Sequence, residues 1–75
     1  MIGKAILRKR LGVALGKEVS EYEFTWFFGY FCERTKRPRE VLTAKELTET
    51  QVMAFSEFCG YDLRCPIPLP LLVQI

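Results

Sequence analysis

Ser20-Glu-Tyr-Glu-Phe-Thr-Trp-Phe-Phe-Gly-Tyr-Phe-Cys-Glu-Arg-Thr-Lys36 is the stretch on which the fold turns. Ser20 followed by Glu23 forms an S-x-x-E capping box ahead of an apolar run, the pattern that starts a helix. Pro38 bars that helix from continuing far beyond Lys36. Seven of the ten aromatic residues (six Phe, three Tyr, one Trp) lie between Tyr22 and Phe31. At helical spacing Phe24, Phe27, Phe28 and Phe31 share one face, Tyr22, Trp26 and Tyr30 form an adjacent stripe, and Thr25, Gly29 and Cys32 make a narrow small-residue strip. A strand is the rival reading, because Glu21 to Trp26 alternates polar and apolar with aromatics that favour sheets. That alternation breaks at Phe27-Phe28. The cap, the length and the proline stop together predict a helix over 20–36.

Upstream, Ile2, Ile6 and Val13 share one helical stripe and Leu7, Leu11, Ala14 and Leu15 another, with basic residues between them. The glycines at 3, 12 and 16 weaken a helix, so the reading is a short helix over 3–11 and a loop through Gly12 and Gly16. Downstream, Thr43-Ala-Lys-Glu46 is a second capping box, and Gly60 stands where a helix-terminating glycine belongs. Ala44, Leu47, Val52, Ala54, Phe55, Phe58 and Cys59 fall on one face; only Met53 breaks the pattern. The unbroken phase predicts one continuous helix over 43–59. Beyond it, Cys65-Pro-Ile-Pro-Leu-Pro-Leu-Leu-Val-Gln-Ile75 cannot be helical. It is expected to be extended, either packed across the helices or reaching a partner. The expected architecture is a single domain over 1–75: a mainly α, three-helix domain with an extended proline-rich C-terminal segment.

Chemistry is limited by what is missing. The 75 residues contain no histidine, which removes Ser/His/Asp and Cys/His nucleophile systems and His-based zinc sites. Cys32, Cys59 and Cys65 are 27 and 6 residues apart, with no C-x-x-C pair, which points to a reducing, cytoplasmic setting rather than a disulfide framework. Glu46 and Glu49 read as solubilising charge, and no glycine-rich phosphate loop exists. No apolar run approaches the ~20 residues that span a bilayer. The expectation is a non-enzymatic protein with no cofactor, no metal and no membrane contact.

Charge supplies the candidate contacts. The net formal charge of +2 hides two basic clusters: Lys4, Arg8, Lys9, Arg10 and Lys17, then Arg34, Lys36, Arg37 and Arg39. Such clusters meet phosphate or an acidic protein surface. With the aromatic stripe they give the candidate partner-binding residues Arg10, Tyr22, Trp26, Tyr30, Arg34, Lys36, Arg37 and Arg39. A Tyr/Trp stripe beside a Phe face has a plainer reading, a central helix buried on two sides.

Two local resemblances bear on function. Thr43-Ala-Lys-Glu-Leu-Thr-Glu-Thr-Gln51 resembles the start of the helix-turn-helix of phage repressors and Cro-type proteins, with Ala44 and Leu47 at its small and apolar positions. It departs where Thr48 replaces the turn glycine and Glu49 an apolar residue, and the following Gln51 to Cys59 has no base-reading cation. Asp62-Leu-Arg-Cys65-Pro-Ile-Pro68 resembles the C-P-x-P signature of TusA-type sulfurtransferases, which implies a persulfide on Cys65. That family places the motif ahead of a helix and sheet, whereas ten residues follow Cys65 here. In size and surface the chain is similar to phage accessory proteins. That similarity implies an interaction module that inhibits or redirects a host protein complex, such as RNA polymerase or a defence complex. The alternative is a helix-turn-helix or basic-patch regulator that binds nucleic acid. A homodimer hiding the aromatic stripe is a third arrangement.

Overall fold

In the computed structural model, residues 1–64 are described; the expected extended segment over 65–75, with Cys65, lies outside the described residues. The chain is mainly helical. Strand β1 (Ile2–Gly3) leads into helix α1 (Lys4–Leu15), then α2 (Glu21–Arg34), a short α3 (Arg39–Thr43), strand β2 (Glu46–Leu47) and α4 (Glu49–Cys59). Three long helices therefore carry the fold, as expected, with a fourth of five residues between the second and third.

Helix α2 starts and stops as its sequence dictates. Ser20 accepts from the Glu23 amide at 3.0 Å, and the Glu23 carboxylate accepts from the Ser20 amide at 3.1 Å. At the far end Lys36 takes a left-handed φ of 55°, the Lys36 amide donates to the Glu33 carbonyl, and the Arg37 amide donates to the Cys32 carbonyl. This is a Schellman closure with lysine in the position that usually falls to glycine.

Two expectations are corrected. Helix α1 runs through Gly12 to Leu15 and closes at Gly16, instead of ending at residue 11. Gly12 is buried because the returning chain lies against it. A Cβ there would stand 2.7 Å from the Lys17 carbonyl oxygen. The glycine serves close approach and does not break the helix. The second correction is at 43–59, which is not one helix. Its N-terminal box is Thr48-x-x-Gln51, with both reciprocal bonds formed at 2.9 and 3.2 Å, and not Thr43-x-x-Glu46. Residues 46–47 are drawn out by pairing with the N-terminus: Ile2 stands opposite Leu47 and Gly3 opposite Glu46, antiparallel. The Lys4 amide donates to the Lys45 carbonyl at 2.8 Å beside that pair. Gly60 does terminate α4, with φ of 82°.

Phe55 is the centre of the core. Its side chain is fully buried, and its ring lies 5.1–5.9 Å from those of Phe24, Phe27, Phe28 and Phe31. Leu7 and Leu11 from α1, Val41 from α3, Leu47 from β2 and Leu63 beyond α4 close around this aromatic group. Edge-to-face and tilted contacts of this kind add to the burial of ring area itself.

Candidate functional site

With four phenylalanines committed to the core, the Tyr/Trp stripe of α2 is left outside. Tyr22 is 80% exposed, Trp26 65% and Tyr30 41%. Two-sided burial of the helix is therefore not what the chain adopts. The Trp26 and Tyr30 rings stack with centroids 5.9 Å apart and planes 5° from parallel. Tyr30 leans on Phe58 of α4 at 5.8 Å, and the Arg34 guanidinium lies 5.9 Å from the Tyr30 centroid. Tyr22, Trp26, Tyr30 and Arg34 thus form one file at four-residue steps along α2.

Beside the start of this file lies a largely apolar groove of about 460 Å³. Leu11, Leu15 and Val19 form one wall; Tyr22, Trp26 and Phe27 form the other; Cys59 and Tyr61 close one end. Its rim carries one ion pair, Lys17 Nζ to Glu23 Oε2 at 3.2 Å. The Glu23 carboxyl is held below the usual carboxylate range, first by the Ser20 backbone amide and then by Lys17. Burial pushes the Cys59 thiol up to about 12, so it is protonated at neutral pH and no nucleophile. Cys32 is likewise raised by burial.

The basic residues divide by role. Arg10 donates to the Leu63 carbonyl at 2.9 Å and so fastens the chain beyond α4 to α1. Arg8 donates to the Val19 carbonyl at 2.9 Å. Lys4 donates to the carbonyls of Val41 and Leu42 at 3.0 and 2.7 Å and sits 4.3 Å from the Phe28 centroid. Desolvation lowers the Lys4 pKa. Arg37 spans Thr35 Oγ1 at 3.3 Å and the Phe31 ring at 5.7 Å. Lys36, just beyond α2, and Arg39, at the start of α3, are exposed. Of the residues singled out in the sequence, Tyr22, Trp26, Tyr30 and Arg34 are brought into one file. Lys36, Arg37 and Arg39 follow its end along the chain, and Arg10 lies on α1, bonded to Leu63.

Leu15, Val19 and Tyr61, which also line the groove, are not among the candidate residues of the sequence. Their only sequence signal is that Leu15 extends the Leu7–Leu11 stripe by one more turn. Helix α4 turns Glu49, Thr50, Met53 and Glu57 outward and carries no lysine or arginine. Ala44 and Leu47, which the helix-turn-helix resemblance puts on its first helix, lie outside any helix: Ala44 follows the five-residue α3 and Leu47 belongs to β2. Among the described residues, no three Cys, Asp or Glu side chains gather as a metal ion would require, and no helix is long and apolar enough to cross a membrane.

Fold and surface together define a small, mainly helical domain with an exposed aromatic–arginine file flanking an apolar groove. No protein-family model, curated protein or solved structure matches the chain.

Proposed function

We propose that this protein is a non-enzymatic interaction module that docks a partner protein on the outer face of α2. The observation that carries the reading is the exposed Trp26–Tyr30 stack, continued by Arg34 and flanked by the apolar groove. Tyr, Trp and Arg are the residues that dominate protein interface energetics. Contiguous apolar surface of this kind is uncommon on a monomer without a use for it. The Trp26 and Tyr30 rings are held near-parallel by their mutual stacking and stay exposed. The small size and the lack of histidine-based chemistry fit an accessory protein of the phage type that inhibits or redirects a host complex, RNA polymerase or a defence complex being the leading kinds.

The test is affinity capture of the full chain from a bacterial lysate at moderate salt, with and without nuclease. A stoichiometric protein partner that survives nuclease and is lost with Trp26→Ala, at unchanged circular dichroism, is the expected result. Retention of the same partner by Trp26→Ala would sink the reading.

The exposed Lys36 and Arg39 beyond Arg34 favour one competing reading, a basic-patch regulator on nucleic acid. Binding of that type weakens steeply between about 50 and 200 mM salt, because neutralised phosphates release counterions. It would vanish with nuclease and with Arg37→Ala/Arg39→Ala.

A further inference from the structure

A second cavity, of about 470 Å³, opens between α1, α2 and the turn that follows α3. It shares no lining residue with the groove beside Trp26. The buried Phe24 and Phe28 give it an apolar lining. Its charged groups are mainly cations: Lys4, Arg8 and Lys45 line it against one acid, Glu21. None of the four forms an ion pair among the described residues, where the two pairs join Lys17 to Glu23 and Arg64 to Asp62. We propose that this pocket binds an organic anion, a carboxylate or phosphate monoester carried on an apolar body.

The placing of the cations points to such a ligand. Lys4 and Arg8 stand one turn apart on α1, and no acid lies in that helix's first turn. Like charges at this spacing repel, and an anion lying across them would relieve the repulsion. Lys4 is half-buried, with its Nζ 4.3 Å from the Phe28 centroid. The Val41 and Leu42 carbonyls accept from its ammonium but leave its charge in place. Desolvation depresses its pKa, and no carboxylate acts on it in return. Partly buried charge in a folded chain normally has a counter-ion. Arg8 is also held in position, because one of its N–H groups donates to the Val19 carbonyl at 2.9 Å. Its remaining donors have no partner among the described residues. Both cations are therefore fixed with donors to spare, which lowers the ordering cost of binding. The volume lies within the range of about 300–1,000 Å³ typical of small-molecule sites. A bare inorganic anion would leave the phenylalanine lining uncovered, hence the apolar body.

The test is titration of the isotope-labelled full chain, followed by amide resonances. The probes are phenylbutyrate and phenyl phosphate, with phenylbutanol as the neutral counterpart and inorganic phosphate as the bare anion. The amides of Ala5, Thr25, Thr43 and Lys45 should shift saturably with an aromatic anion, and the tighter of the two tells carboxylate from phosphate recognition. The alcohol and the bare phosphate should bind at least about tenfold more weakly. Arg8→Gln should weaken binding about tenfold and Lys45→Gln about threefold, while Glu21→Gln should tighten it. Absence of saturable shifts with either aromatic anion overturns the proposal, as does equal binding of the alcohol. Shifts confined to Leu15, Val19 and Trp26 also overturn it, because they place the probe in the other groove. So do unchanged affinities in both Lys45→Gln and Glu21→Gln. Should Arg8→Gln lose helical circular dichroism, those two variants decide, since both side chains are exposed and unbonded among the described residues. Partner capture by Trp26→Ala reads a different surface, so the two proposals fail independently.

Discussion

The two faces of α2 are built from the same kind of residue and behave in opposite ways. On one, Phe24, Phe28 and Phe31 are buried around Phe55. On the other, Tyr22, Trp26 and Tyr30 stand in solvent or against one another. The difference lies in which neighbours reach each face. Helix α4 places Phe55 and Phe58 over the phenylalanine side, whereas among the described residues the tyrosine–tryptophan side makes its one ring contact with α4 through Tyr30 and Phe58. Aromatic content alone therefore says nothing about burial. The hydroxyl and indole N–H of the outer file need water or a partner, and the phenyl rings do not.

The largest effect should come from removing the hub. Phe55→Ala is expected to cost about 3–5 kcal/mol, as for other large-to-small changes in packed cores. A domain of this length has roughly 4–11 kcal/mol in total, so the variant should be largely unfolded in mild urea. Trp26→Ala should cost no more than about 1.5 kcal/mol, the worth of an aromatic pair, while abolishing partner capture. Equal destabilisation of the two variants in urea titrations would erase the distinction between the faces.

Next in size is Gly12→Ala. Alanine would gain up to about 1 kcal/mol in helix propensity over glycine. Its Cβ would meet a backbone oxygen at 2.7 Å, which cannot swing aside as a side chain does. Overpacking of this sort costs about 1–3 kcal/mol, so net destabilisation is expected. A variant that melts higher than the wild type would show that the returning chain is free to move.

These positions also mark where sequence reading succeeds and fails. The bounds of α2 were readable because cap, apolar face and proline stop are all local. The core face of α4 was readable for the same reason. Gly12 was not, because its purpose lies in Lys17 and Val19 folding back on it. The split of 43–59 was not either, because Ile2 pairs with Leu47 across 45 residues and extends a stretch whose periodicity suited a helix. Of the site, the aromatic file and Arg34 were visible in helical spacing. The groove was not, since three separate elements form it.

The choice between the two boxes is itself testable. Thr48→Ala should cost about 1 kcal/mol, the usual worth of an N-cap hydroxyl. Thr43 only returns its hydroxyl to the Arg39 carbonyl at 3.2 Å on an exposed turn. Thr43→Ala should therefore stay within about 0.5 kcal/mol of wild type. Reversal of that order in chemical denaturation would restore the continuous helix.

The smallest effect lies at the rim of the groove. Glu23 holds its proton more weakly in the folded chain than in the unfolded one, because the Ser20 amide and Lys17 favour the carboxylate. Such a group stabilises the fold fully above its unfolded pKa, and that contribution drains away as pH falls through the depressed folded value. Asp62, lowered by Arg64, acts in the same direction. Stability should thus decline with acid below about pH 4.5, the ordinary glutamate value. Glu23→Gln keeps a capping-box side chain but cannot titrate. It should reduce that acid-dependent decline while leaving the buried phenylalanine face unchanged, as read by near-ultraviolet circular dichroism. An identical slope in both proteins would mean that neither the Ser20 amide nor Lys17 favours the carboxylate over its protonated form in solution, the usual result for an exposed ion pair. A faster decline in wild type than in Glu23→Gln, with the difference surviving high salt, would assign the effect to the Ser20 bond, because salt screens the Lys17 pair and leaves that bond in place.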